Sequence, residues 1–128
     1  MIRQTMEKAL KDLGCNRSEL SILVTGDEQI HELNMQYLNR DKPTNVLSFP
    51  MTGDPDGIET GMLGDIVISV DTAKREAAEM GITYHQRIYE LLIHGLLHLM
   101  GYDHEKSKKD EIKMQKEEKR LLSLLMED

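Results

Sequence analysis

Three of the chain's five histidines fall within eleven positions, His94-Gly-Leu-Leu-His98-Leu-Met-Gly101-Tyr-Asp-His104, and this stretch limits the fold more than any other. His94 and His98 are four residues apart. On a helix they lie one turn above each other with Cβ atoms about 5–6 Å apart, so both imidazoles can reach one ion. Gly101 can then take the left-handed conformation that ends a helix, and the turn through Tyr102 and Asp103 can return His104 to the same ion. Three neutral imidazoles leave the fourth position of a tetrahedral ion to water, the mark of a catalytic zinc site. Nickel or another divalent transition metal also suits imidazole nitrogen. The plainer reading is an apolar helix punctuated by two histidines, with His104 on the surface; the third histidine after a helix-ending glycine counts against it.

The spacing H-x-x-x-H-x-x-G-x-x-H is that of metzincin proteases, whose motif carries a glutamate general base directly after the first histidine. Here that position is Gly95. The chain therefore has the metal cradle of a protease without its proton shuttle. A glycine inside a helix costs about 0.5–1 kcal/mol relative to alanine, which room for substrate or a close backbone contact would explain.

With 128 residues the chain suits one domain, residues 1–128. No apolar run approaches the roughly 20 residues that span a bilayer. The polar, periodic start and the single Cys15, which forms no internal disulfide, point to the cytoplasm and to no membrane partner. A net charge of -7 gives no global attraction for nucleic acid, so DNA is not an expected partner and any RNA must be held by local cations or by the metal.

In chain order, residues 2 to 13 have helical spacing and Gly14 as a stop. Leu20, Ile22 and Val24 alternate in a strand. Thr25 with Glu28 has capping-box spacing for a helix to about Leu38, whose buried stripe is expected to be Ile30, Leu33 and Tyr37. Val46 to Phe49 reads as a short strand ended by Pro50, hence an edge strand, expected to pair antiparallel with Asp65 to Val70 beside the metal cleft. Residues 51 to 62 read as a flexible loop. The run from Ile66 to Val70 is apolar enough to be the sheet centre. Asp71 can cap a helix to about Met80, and Thr83 with Gln86 can open the histidine helix, which is apolar almost all round from Ile88 to Met100. Residues 106 to 126 read as a charged helix with Ile112, Met114, Leu121, Leu122 and Leu125 facing the body and a solvated Lys/Glu face.

Three segments, Asp41 to Pro50 (DKPTNVLSFP), Leu63 to Ile68 (LGDIVI) and His94 to His104, together resemble the YbeY family of bacterial ribosomal RNA maturation factors, in register from about Glu32 onward. The resemblance implies an α+β, zincin-like fold with a small mixed sheet of three or four strands, one an antiparallel edge strand, and about five helices. It implies a metal-dependent endoribonuclease acting on single-stranded RNA in ribosomal RNA processing and ribosome quality control, with His94, His98 and His104 as zinc ligands. Two departures stand out. The family usually carries an arginine thought to serve the active site where this chain has Leu38, and it begins with a strand where this chain begins with a helix.

Around the metal, Arg40 is a candidate to grip phosphate with its planar fork, and Lys42, Thr44 and Ser48 are candidates for substrate contact. Arg87 is a further cation whose position could bring it near the cleft. Asp103 and Asp65 could each orient an imidazole or accept a proton, or be ordinary turn and strand-end aspartates. A metallopeptidase and a non-catalytic, metal-stabilised ribosome assembly factor are the rival functions. A monomer or weak dimer is expected.

Overall fold

The computed structural model describes residues 2–14, 19–50, 62–102 and 107–126. Among these residues, five helices and three strands follow the order α1 (Ile2–Asp12), β1 (Glu19–Thr25), α2 (Asp27–Leu38), β2 (Val46–Pro50), β3 (Met62–Ser69), α3 (Val70–Met80), α4 (Tyr84–Leu99) and α5 (Lys108–Met126). The architecture is α+β, as expected; of the loop expected over residues 51 to 62, residues 51 to 61 lie outside the described residues, and Met62 belongs to β3 instead.

The sheet runs β1-β3-β2. β3 is central, and it buries apolar residues on both faces: Ile66 and Ile68 on one, Val67 on the other. β1 lies parallel to it, and β2 antiparallel, with Ser48 opposite Ile66 and Pro50 opposite Gly64. β2 is thus the expected edge strand. Val70 starts α3 instead of ending the strand.

One sheet face is covered by α1, α3 and α4, where Ile66 and Ile68 meet Met6, Leu10, Ala73, Leu92 and Leu96. Ile30 of α2 covers the other face over Leu47 and Val67. Helix α4 also turns Ile93 and Leu97 outward to Met114 and Leu121 of α5. It is therefore apolar nearly all round because it packs on two sides, and each fully buried leucine contributes about 1.5–3 kcal/mol.

Several helix details differ from the sequence reading. Tyr37 is 60% exposed, and the inward position on α2 beside Ile30 belongs to Asn34, one turn on. Ile112 of α5 also faces outward. Thr25 does not cap α2, whose N-cap is Gly26 with no side-chain bond. Instead Asp71 of α3 accepts the Asp27 N–H at 3.0 Å. Asp71 does not cap its own helix either, since Ser69 accepts the Thr72 N–H there. The two helix starts are cross-braced: the Asp27 carboxylate accepts 2.6 Å bonds from the Ser69 and Thr72 hydroxyls and pairs with Arg75 at 2.8 Å. Sequence shows which residues are able to cap; only the docking of α2 on α3 decides which helix each one serves.

Those hydroxyl donors, Ser69 before Thr72 and with Arg75 after them, hold the Asp27 carboxyl down to about 2. An unfolded aspartate titrates near about 3.9, so this stabilisation is present above about pH 4 and is lost as pH falls toward 2. Asp27→Asn should lower unfolding stability by about 1–2 kcal/mol at neutral pH, a partly exposed site weakening the usual charged-bond value. Urea unfolding across pH should show a shallower acid decline for the variant, and equal slopes would refute the brace.

Candidate metal centre

Thr83 begins α4, its hydroxyl accepting the Gln86 N–H at 3.1 Å, while the Gln86 side chain turns to Glu90 in place of closing the reciprocal bond. Four turns later the helix ends as the sequence indicated. Gly101 takes φ 97, the Gly101 N–H donates to the His98 carbonyl, and the Tyr102 N–H donates to the Leu97 carbonyl.

His94 and His98 lie on one face, ring centroids 4.6 Å apart and planes at 80°, with their Nε2 atoms 3.1 Å apart. Two nitrogens bound to one tetrahedral zinc at about 2.0–2.1 Å stand roughly 3.3 Å from each other, so this pair fits the donor side of such an ion. The Nδ1 of His94 faces Glu118 Oε2 of α5 at 3.4 Å. A carboxylate there fixes the tautomer, with the proton on Nδ1 and the lone pair on Nε2. Among the described residues no set of three metal-binding side chains converges; His104 and Asp103 lie outside them.

Gly95 explains the missing glutamate. A Cβ at this position would lie 3.1 Å from Ser48 Oγ and 3.1 Å from Ile66 Cγ2, so the helix rides on the sheet where a protease would carry its base. Ser48 also donates to the Gly95 carbonyl at 3.2 Å, tying α4 to the edge strand.

A cavity of about 520 Å³ opens beside the pair, walled by Arg40, Thr44, Ser48, Asn34, Leu38 and both histidines. Arg40, Thr44 and Ser48 are thereby brought together with His94 and His98. Lys42 is not among its walls; its side chain is exposed, and its carbonyl accepts from Asn34 Nδ2 at 2.9 Å. Asp65 is exposed on the α2 face, opposite Phe49. Arg87 is held by Glu76 and Glu90, at 3.0 and 2.8 Å, away from this cavity. Burial works against its charge, and the two carboxylates more than offset that, raising its already high pKa.

Sequence reading missed Glu118, placing it in a solvated Lys/Glu face. The signal was present: Glu118 stands four residues after Met114 and three before Leu121, the two buried residues of α5, so it lies along the inward stripe where a charge needs a partner.

Fold and site together define a small α+β protein with a helix-borne histidine pair set against a sheet edge. The chain belongs to the YbeY family: the family described as Endoribonuclease YbeY matches residues 1–126. Similar proteins include Endoribonuclease YbeY of Aquifex aeolicus, 47% identical over 97% of this chain and 81% of its own length. That of Geobacter metallireducens is 44% identical over 97% and 84%. Among solved structures, the solution structure of TM1509 from Thermotoga maritima is 28% identical, covers 96% of this chain and 77% of that one, and has a TM-score of 0.71. Membership of this family is consistent with a metal cofactor. Among the described residues no helix is long and apolar enough to cross a membrane.

The α4–sheet contact can be checked directly. Gly95→Val should lower stability by about 1–3 kcal/mol through overpacking against Ser48 and Ile66. A thermal or urea midpoint equal to that of the parent would show that the sheet yields and that glycine is not required.

Proposed function

We propose that this chain is an endoribonuclease that cuts single-stranded RNA during ribosomal RNA maturation, acting in the cytoplasm on the ribosome as one domain and using zinc held by His94, His98 and His104. The observation that carries the reading is the 3.1 Å approach of the two Nε2 atoms at the wall of a cavity that also holds Arg40. The near full-length similarity to proteins named as endoribonucleases supports it.

When bound, the ion would polarise a phosphoryl oxygen and acidify a water molecule. The chain's own residues do the rest. Glu118 accepts a hydrogen bond from the Nδ1–H of His94 and so keeps the Nε2 lone pair available. Ser48 anchors α4 to β2 through the Gly95 carbonyl, holding the histidines against the cleft. Arg40 and Thr44 offer donors to a phosphate in that cavity, the guanidinium in two places at once. Asp103, beside His104, keeps its two readings as an orienting group or proton acceptor. The peptidase alternative lacks a base where the protease motif carries one, because that position is Gly95.

A non-catalytic assembly role draws its support from Leu38, an apolar residue lining the cavity where the family usually has arginine. Incubating metal-quantified protein with single-stranded RNA, with and without chelator, separates the two. Cleavage that is lost with chelator and in His98→Ala supports the nuclease; inert RNA in metal-replete protein supports the assembly role.

Glu118→Gln should weaken metal affinity by about 10–100-fold, as loss of a carboxylate behind a ligating histidine does. Competition with a chromogenic chelator reads this, and unchanged affinity would detach Glu118 from the centre. Arg40→Ala should cut RNA cleavage about tenfold, equivalent to about 1.4 kcal/mol of transition-state contact, while metal content and melting temperature hold. Full activity in that variant would remove Arg40 from the mechanism.

A further inference from the structure

An endonuclease must hold its substrate chain on both sides of the bond it cuts, and the cavity with Arg40 lies on only one side of His94. A second cavity of about 510 Å³, within the range of small-ligand sites, opens on the other side, between α4 and α5, and shares His94 and Asn45 with the first. Two helical stripes of matching spacing form it. Arg87, Glu90, Leu91 and His94 come from α4; Gln115, Glu118, Lys119 and Leu122 come from α5. Apart from Ile93, which also lines the cavity from α4, both repeat at i, i+3, i+4 and i+7, so each is one continuous helix face.

We infer that this α4–α5 groove is a second nucleotide subsite, which takes the RNA residue next to the scissile phosphate on the side away from Arg40. The inference rests on the nuclease reading and extends it. The α4 wall is already satisfied: Arg87 is spent on Glu76 and Glu90, and Asn45 donates to Glu76 at 3.3 Å, so the cation of this wall is taken up by carboxylates. Contact falls to α5. Lys119 is exposed and one turn from Gln115, whose amide, among the described residues, makes a long 3.4 Å bond to Glu111. The Lys119 ammonium suits a phosphate, the Gln115 amide a base edge, and Leu91 with Leu122 an apolar floor for the flat face of a base.

The test uses zinc-loaded full-length protein and end-labelled single-stranded oligoribonucleotides of graded length, extended by one nucleotide at a time on either side of the cut. In the parent protein, extension on one side should raise kcat/KM, mainly through KM. In Lys119→Ala that gain should collapse by about tenfold, and the slope of log kcat/KM against log salt should shrink by about one phosphate contact. Lys119→Arg should restore it, and Gln115→Ala should flatten preference for the base at that position. Cleavage that still requires His98, with the extension gain intact in both Lys119→Ala and Gln115→Ala, overturns the subsite and leaves the nuclease standing. No cleavage of any oligoribonucleotide by the parent protein overturns the nuclease reading and the subsite with it.

Discussion

The structure depends on how closely α4 approaches the sheet. Gly95 lets the helix backbone settle onto Ser48 and Ile66, near enough for Ser48 to bond the Gly95 carbonyl. A Cβ there would press on the Ser48 hydroxyl and the Ile66 methyl groups at 3.1–3.2 Å, so the contact between the histidine-bearing helix and the sheet would have to shift by a few tenths of an ångström. The same approach places Leu92 and Leu96 in the sheet core, so one glycine couples the main apolar cluster to the histidine geometry. What the helix lost in propensity is offset by this burial. Replacing the protease glutamate with glycine thus removes a base and changes what the helix can rest upon.

Electrostatics is arranged around the same helix. Its start is held by Arg87 between Glu76 and Glu90, and its middle by Glu118 behind His94. Far from the site, Arg120 of α5 bonds Asp12 of α1 at 2.7 Å and also Glu117, closing α5 over the first helix. That donation from Arg120 lowers the Asp12 carboxyl below its usual range. Although the chain is acidic overall, many of its carboxylates are engaged in placing cations and helices, so net charge alone says little about its clefts.

Elements with strong periodicity and clear stop signals were legible in the sequence. The histidine helix, its end at Gly101, the central β3 and the edge strand β2 all follow from local pattern, and so does the convergence of His94 with His98. Arg40, Thr44 and Ser48 carry donor groups in or next to the edge strand that the sequence predicts, and the strand's position delivers them to one cavity. Residues whose role depends on a partner far away in sequence were not legible. Asp71 serves α2 because α3 docks there, Asn34 turns inward because the loop carbonyl of Lys42 takes its amide, and Glu118 is recruited by a histidine 24 positions earlier. Each of these is a polar residue able to serve several partners, and only tertiary packing selects one.

The two walls of the Arg40 cavity differ in what must break for them to move. The histidine wall belongs to a helix buried in two apolar clusters at once, so displacing it means opening most of the core, and its amides should exchange with solvent only near global unfolding. The opposite wall, from Arg40 to Asn45, is a short connection, exposed over its first four residues and held by separate polar bonds: Asn34 to the Lys42 carbonyl, His31 with Asp41, Asn45 to Glu76, and the Ser69 N–H to the Asn45 carbonyl. One side of the cleft is therefore an anvil and the other a compliant jaw, able to follow chains of differing shape without disturbing the spacing of the two imidazoles.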